Sequence, residues 1–424
     1  MTLLPVKQPK QPKPLKQPLI AALDIGTTKV ACLIARVLEH GGIEVVGVGH
    51  QIARGIKSGA ITDIAEAETS IVAAVHAAEQ MVGETIEDII VSVSGSAVKS
   101  RNVAVELQVL ADGVSDQDIA DLIHEGCGSL DDAEREILHC FPTHYVLDGT
   151  RGIRDPRGMI GKTLGSELQV ITAKNSYLRN ISNCLARCHL NISEFVLAPH
   201  ASALAVLEQD EMDLGVTLID MGGGMTSFSV FVGGKNVYCD AVMIGGNHVT
   251  NDIAQGLSTS LSHAERLKTL HGSAVASAKD ADVMIDVPQL GEREEEDEPT
   301  TMPRSMLVGV VRPRMEEIFE LIRDKIESSG VDKIAGRRCV LTGGASQMLG
   351  VSDLASKMLN KQVRKGKPVP IPGLAEAASG PAFSTSIGML EYAAKRPWEE
   401  DILLHESPRF GLVQRMKQWF RENF

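Results

Sequence analysis

Three apolar runs follow one another from Leu19: LIAALDI, KVACLIARV and IEVVGVGH, separated by GTT and LEHGG. Short aliphatic and β-branched runs closed by Gly-containing breaks predict strands. From about Asp63 to Val82 the period changes. Ile64, Ala67, Ile71, Ala74, Val75 and Ala78 recur at helical spacing and predict an amphipathic helix. DIIVSVSG then predicts a fourth strand, giving a β-β-β-α-β unit. The pattern returns in the second half. Gly215–Asp220 (GVTLID), Thr226–Val232 and Asn236–Met243 predict three strands, a helix-rich stretch follows, and RCVLTGGAS predicts a buried strand ending in a Gly turn. Each half opens with a strand ending in Asp and a Gly turn, ALDIGTT and LIDMGGG. The repeat predicts a duplicated α/β architecture.

Two stretches interrupt the repeat. Residues 96–172 carry strand-like runs (VAVELQVL, LHCFPTHYVLD, ELQVITA) and a helix near 116–127. Residues 247–315 read as helical and contain GEREEEDEP (Gly291–Pro299), an acidic run without periodicity that predicts a solvated loop rather than a cation site. A last core helix is expected near Ala382–Ala394. Pro397 and Pro408 then bracket a polar segment that reads as a linker. The expected division is a tail over 1–18, a first half over 19–95 resuming over 173–210, and an inserted subdomain over 96–172. A second half over 211–246 resumes over 316–394 and returns to the first. A second inserted subdomain covers 247–315, a linker 395–408 and a terminal helix 409–424.

Composition narrows the class. The 424 residues give room for two to four compact units. A formal charge of −13 argues against a nucleic-acid partner. No apolar run approaches the ~20 residues of a spanning helix. The N-terminal MTLLPVKQPKQPKPLKQP lacks the apolar core of a signal peptide and reads as a disordered basic tail, with a weak contact to anionic lipid as the second reading. Seven scattered cysteines suggest reduced core thiols in the cytosol. Cys184 and Cys188 share a helix face, but no second Cys or His pair at a familiar spacing completes a metal site.

The candidate chemistry lies in the two hairpins. Asp24-Ile25-Gly26-Thr27-Thr28-Lys29 ends a strand in an acid and then supplies a glycine and two hydroxyls. Such a turn brings free backbone N–H groups close to an anion. Asp220-Met221-Gly222-Gly223-Gly224 repeats it in the second half, with Thr226 shortly after. Either turn alone would pass as an ordinary hairpin. Two facing one another could hold a triphosphate, with magnesium reached through water from Asp24 and Asp220.

LDIGTTKV and LIDMGGGMTSFSV resemble the two phosphate motifs of the actin/Hsp70/sugar-kinase superfamily, and LTGGAS (341–346), with Gly343, Gly344 and Ala345, resembles its adenosine motif. IGGNHVTNDIA (244–254), with Gly245 and Gly246, resembles the Gly-Gly turn and helix after the second phosphate hairpin. AERLK (264–268) resembles the helix whose Glu and Lys meet ribose and adenine, which makes Glu265 and Lys268 nucleotide contacts by likeness; an exposed i,i+3 ion pair is the plainer reading. Only about Gln51–Thr62 separates the third strand from the first helix, and the insertion follows DIIVSVSG instead. That layout is similar to the bacterial cell-division FtsA family and its pilus-assembly relative PilM. ARGIKSGAITD, ILHCFPTHYVLDG and DPRGMIGKTLGSELQVITA resemble FtsA stretches directly. The likeness covers about 19–424 and implies subdomains 1A, 1C, 2A and 2B.

The sequence also departs from the superfamily. Ala198 stands before Pro199 where Hsp70-like ATPases carry Glu, and Met225 and Ser227 replace a Thr and an Asp after the second Gly run. Hydrolysis needs a positioned water, and two acids that would orient it are missing. The expectation is tight ATP and magnesium binding with slow or absent turnover.

Arg409–Phe424 reads RFGLVQRMKQWFRENF. On a helix Leu412, Val413, Met416, Trp419, Phe420 and Phe424 fall within about 140° of one another, with Arg415, Lys417 and Arg421 on or beside the polar face. Arg409, Arg415, Lys417 and Arg421 against Glu422 give +4 − 1 = +3. At about 24 Å the segment is too short and too charged to span a bilayer and suits its interface. Docking in a partner groove or on the chain's own core are the other readings. Three charges supply roughly 3 kcal/mol towards anionic lipid, so one copy binds reversibly and an array binds far better.

These readings predict an actin-like adaptor whose ATP-bound copies form filaments on the cytoplasmic face of the inner membrane. The resemblance implies that it tethers the C-terminal tail of FtsZ through the second insertion, self-associates with support from the first, and recruits later division proteins at the septum. A sugar kinase would need a catalytic base and a sugar pocket, an Hsp70-like machine a substrate-binding domain, and a PilM-like pilus component would lack the terminal helix.

Overall fold

The computed structural model describes residues 18–38, 42–110, 113–130, 132–291 and 300–395. β1 (Leu19–Ile25), β2 (Lys29–Val37) and β3 (Ile43–Ile52) form an antiparallel meander. A small hairpin of β4 (Ile56–Lys57) and β5 (Ala60–Ile61) leads into α1 (Ile64–Val82). The Asp63 carboxylate accepts the Glu66 N–H at 3.1 Å to start that helix, and Gly83 in the left-handed region ends it. Ala67, Ile71, Ala74, Val75 and Ala78 form its buried face, as the sequence predicts, whereas Ile64, expected on that face, is exposed in the first turn. α1 lies so close to the sheet that a Cβ at Gly49 would stand 1.9 Å from the Ala74 carbonyl oxygen. β6 (Asp88–Val93) then runs parallel to β1.

The first insertion folds as its own unit. It comprises β7 (Val98–Gln108), α2 (Asp116–Gly128), β8 (Arg135–Leu147), β9 (Thr150–Ile153) and β10 (Thr163–Lys174), with sheet order β7-β10-β8-β9. Ile119, Leu122 and Ile123 of α2 bury against Tyr145, Leu164, Leu168 and Val170, giving it a separate core. A second, small cluster of Phe141, Ile171, Leu197 and Cys239 fastens it to both lobes. The chain returns through α3 (Asn175–Arg187), β11 (Asn191–Leu197), α4 (Ala198–Val206) and α5 (Gln209–Leu214).

The second lobe repeats the first. β12 (Val216–Met221), β13 (Thr226–Val232) and β14 (Lys235–Val242) form another meander. After it come α6 (Gly246–Gly256), α7 (Leu261–His271), a short hairpin of β15 (Met284–Asp286) and β16 (Thr301–Pro303), and the long α8 (Arg304–Ser329). β17 (Arg338–Thr342), α9 (Val351–Leu359) and β18 (Gln362–Lys365) complete the lobe, and α10 (Ser384–Ala394) returns to pack on the sheet of the first. The sheets read β3-β2-β1-β6-β11 and β14-β13-β12-β17-β18, the same order with the same parallel and antiparallel pairings. The duplication predicted from two Asp-Gly turns is therefore present strand for strand.

Two details of the second insertion differ from the sequence reading. It is not wholly helical, because β15 and β16 pair within it. α8 also runs unbroken past residue 315, with Pro313 inside it, so no break in secondary structure marks the expected boundary there. α4 and α10 each follow the fifth strand of a lobe and pack against one another between the sheets. Ala201, Ala205, Ile387, Met389 and Leu390 join Leu33 and Val45 on one side to Val216, Leu218 and Val340 on the other in a single core. The helices touch at backbone distance: a Cβ on Gly388 would lie 1.7 Å from the Ala201 carbonyl oxygen.

Candidate functional site

The two Asp-Gly turns have the same hydrogen-bonded geometry. Ile25 pairs with Val30 and Met221 with Thr226, closing each hairpin over four residues. In the first, the Gly26 N–H donates to the Lys29 carbonyl at 3.1 Å; in the second, the Gly222 N–H donates to the Met225 carbonyl at 3.0 Å. The turns meet across one cleft. A Cβ on Gly223 would come within 2.4 Å of Thr28 Cγ2, and one on Gly224 within 2.6 Å of Thr27 Oγ1. Glycine at these positions is thus demanded by the approach of the lobes as well as by any ligand. The cleft is lined by Asp24, Gly26, Thr27, Thr28, Lys29, Asp220, Gly222, Gly223, Gly224, Gly343 and Gly344, with Ser94, Ala198, Met225, Ser227 and Thr385.

Each aspartate is held by neighbouring hydroxyls. Asp24 Oδ1 accepts from Ser92 Oγ at 2.8 Å. Asp220 Oδ2 accepts from Ser202 Oγ of α4 at 2.5 Å and from Thr385 Oγ1 of α10 at 3.3 Å. Burial raises Asp24 above the usual carboxylate range despite Lys29 and Ser92, and it lifts Asp220 to about 6 despite the Ser202 hydrogen bond, with the charge of Asp24 adding to the rise. Lys29 lies between the two. Its ammonium donates to the Ala382 carbonyl and sits 3.1 Å from the centroid of the Phe383 ring. Burial lowers it to about 8, against the pull of Asp24 and Asp220.

This arrangement suits an anion accompanied by a divalent cation. Among the described residues, the N–H groups of Thr27, Thr28, Gly223 and Gly224 find no protein acceptor. Unpaired amides in consecutive turn residues form an anion nest, and Lys29 adds a positive charge. A cation near the carboxylates would relieve the cost that raises their pKa values.

Behind the second turn lies a further cluster. The N–H groups of Gly246 and Asn247 donate to the carbonyls of Gly222 and Gly223 at 2.9 and 2.8 Å, which ties α6 to the turn. Gly245 is needed there, since a Cβ would fall 2.5 Å from the Gly222 oxygen. Lys268 Nζ reaches Glu265 Oε2 at 2.7 Å, Thr250 Oγ1 at 2.9 Å and the Gly246 carbonyl at 3.2 Å. A Cβ on Gly246 would be 3.3 Å from Ala345 Cβ. Glu265, Lys268, Gly245, Gly246 and Ala345 are therefore brought together next to the cleft. The Glu265–Lys268 ion pair exists, and in this state it is bonded to protein.

Thr226 is the exception among the sequence-predicted site residues. It is fully buried, and its hydroxyl donates to the Ile244 carbonyl at 2.8 Å. Strand alternation turns it away from the cleft and leaves Met225 and Ser227 facing it. Residues not singled out from sequence are Ser92, Ser202 and Thr385, which hold the aspartates, and Ala382 and Phe383, which hold Lys29. Thr385 and Phe383 lie over 160 and 350 residues from their partners, and no local pattern could expose them. The terminal residues Leu412, Val413, Met416, Lys417, Trp419, Phe420, Arg421 and Phe424 lie outside the described residues. Among the described residues no helix is long and apolar enough to cross a membrane.

Comparison with known proteins agrees with this architecture. A family model described as cell division protein FtsA matches residues 217–388, and one described as the SHS2 domain inserted in FtsA matches residues 95–172. The FtsA of Rhizobium meliloti is 42% identical over 98% of this chain and 97% of its own length. That of Escherichia coli is 31% identical over 96% and 98%. Among solved structures, a PilM–PilN type IV pilus biogenesis complex superposes with a TM-score of 0.64 at 16% identity, covering 89% of this chain and 98% of that one. MreB5 of Spiroplasma citri bound to ADP superposes with a TM-score of 0.53 at 11% identity, covering 91% and 98%.

Proposed function

The chain belongs to the FtsA family of bacterial cell-division proteins, and on that premise we propose that it is an ATP-binding adaptor that assembles on the membrane and holds the division machinery there. The observation that carries the nucleotide part is the pair of equivalent turns with four unpaired amides, a lysine and two carboxylates around one cleft. In this reading Gly26, Thr27, Thr28, Lys29, Gly222, Gly223 and Gly224 hold the phosphates. Gly343, Gly344 and Ala345 meet the adenosine, Gly245 and Gly246 shape the wall behind it, and Glu265 and Lys268 exchange their mutual bond for ribose and adenine. Asp24 and Asp220 would hold magnesium through water. When bound, the metal would neutralise phosphate charge.

Turnover is slow or absent in this account. Ala198, Met225 and Ser227 line the cleft, and none can act as a carboxylate base towards a water. The nucleotide then sets the relation of the lobes, because Asp220 is bonded to α4 and α10 between them. The membrane end is the helix over 409–424, lying in the interface with Trp419, Phe420 and Phe424 inward. The FtsZ C-terminal tail docks on the second inserted subdomain. The first supports contacts between copies, and the filament recruits later division proteins at the cytoplasmic face of the septum. Calorimetry with Mg-ATP, followed by single-turnover phosphate release, tests the nucleotide part. Tight binding with release far below the ~1–10³ s⁻¹ of ordinary enzymes is expected. Release inside that range would replace the adaptor with an ATPase or kinase.

A further inference from the structure

On the side of the α4–α10 pair away from the nucleotide, two adjoining cavities of 360 and 440 Å³ open between the first inserted subdomain and the second lobe. They share Pro142 and Lys235. The first has apolar walls of Phe141, Leu204, Leu207, Met212 and Tyr392, and Lys395 stands at its rim. The second is walled by Ile153, Val232, Val331 and Ile334, with Arg154 beside them. Ile334 is 52% exposed, so apolar surface there is left open to water.

We propose that the residues directly after Lys395 lie back along these cavities, with Trp398 seated in the first and Ile402, Leu403 and Leu404 covering the second. Position is the first reason. Lys395 lines the first cavity, and three residues of chain reach about 10 Å, so Trp398 can enter it without any rearrangement of the core. Chemistry is the second. The following sequence is RPWEEDILL, an aromatic and an aliphatic group separated by three acids. An indole buries roughly 150–250 Å² when it finds an apolar wall. Charge is the third. Glu399, Glu400 and Asp401 would pass the strip where the cavities join, which carries Lys235 with Arg154 next to it. Arg154 has only a loose 3.6 Å pairing to Asp213 and remains 74% exposed.

The consequence is a short tether. Counted from Lys395, the chain before Arg409 could extend about 45 Å, but held through Leu404 it extends only about 15 Å. The terminal segment would then stay close to the inserted subdomain, and its reach would depend on whether the cavities are covered. This inference stands apart from the nucleotide and division reading, since no ligand enters its test.

The chain has two tryptophans, so Trp419→Phe leaves Trp398 as the sole indole of the full-length protein. In vesicle-free buffer its emission should be blue-shifted, and acrylamide should quench it several-fold less than the same indole in a synthetic 396–404 peptide. Lys235→Glu and, separately, Leu204→Glu should return both readings towards the peptide values, with an unchanged far-ultraviolet spectrum as the folding control. Deleting 409–424 should leave the protection intact. Peptide-like emission in the Trp419→Phe protein overturns the proposal without any cavity variant. So does a protected Trp398 that ignores both cavity substitutions, or protection that disappears with the terminal helix.

Discussion

At the scale of single residues the site is governed by close approach and by carboxylates short of solvent. Gly223 and Gly344 both sit in motif turns, yet they differ. A side chain at Gly223 collides with Thr28 and Asn247, so its replacement disturbs the meeting of the lobes, whereas the nearest atom to a Cβ at Gly344 is Ala382 Cβ at 3.8 Å. Gly344→Val should therefore keep the fold by circular dichroism and abolish ATP binding in calorimetry; parental affinity would remove adenosine from that turn. Asp220 gives a pH signature. Burial raises it from 3.8 to about 6, so between those values the folded protein holds more protons than the unfolded chain. Its contribution to stability is present in full below about 3.8 and is lost as pH rises through about 6. Asp220→Asn should flatten that slope in thermal melts of the nucleotide-free protein, with Asp24 retaining a share of it. The same variant should weaken Mg-ATP by at least about tenfold, ~1.4 kcal/mol. A parental slope together with parental affinity would contradict the placement of this carboxylate. The acid and glycines of each turn were legible in the sequence because their types and spacing are local. The side to which Thr226 points was not, because one strand position decides it.

At the scale of elements the sequence was most informative where apolar runs or helical spacing were long. β1 and β2 follow from apolar runs closed by Gly-containing breaks and α1 from the helical spacing of Ala67 to Ala78, with ends within a residue of those expected. β15 and β16 were not legible, since three-residue strands carry no period. α8 crosses the boundary expected at 315 without a break, since Pro313 does not end it. The crossing of α4 and α10 is a tertiary fact that no local pattern exposes. Gly388→Ala should push the helices apart, costing about 1–3 kcal/mol in denaturant melts and weakening ATP through the shifted Thr385. Unchanged stability would mean that the crossing relaxes freely. For the terminal element, Trp419→Glu with Phe420→Glu should abolish pelleting with anionic vesicles, because two carboxylates would have to enter the acyl boundary. Lys417→Gln with Arg421→Gln should weaken binding less, and mainly at low salt, since those charges act through a screened field. If the double-Glu protein pellets like the parent, the helix is not the anchor.

At the scale of the whole molecule, two equivalent lobes meet at one cleft and share the core around α4 and α10. A ligand that engages both turns binds both lobes at once and fixes their relation, which is how occupancy could govern the assembly of copies. On the proposed function, assembly in turn would decide membrane residence: one terminal segment would bind reversibly, and an array would make each further contact intramolecular. The most direct test is co-sedimentation of the full chain with anionic vesicles and FtsZ, with and without Mg-ATP, beside the protein lacking Arg409–Phe424. The account predicts that the parent pellets and carries FtsZ with it, more so with Mg-ATP, while the truncated protein stays folded, binds ATP and leaves FtsZ in the supernatant. A truncated protein that pellets FtsZ with the vesicles as well as the parent does would contradict it.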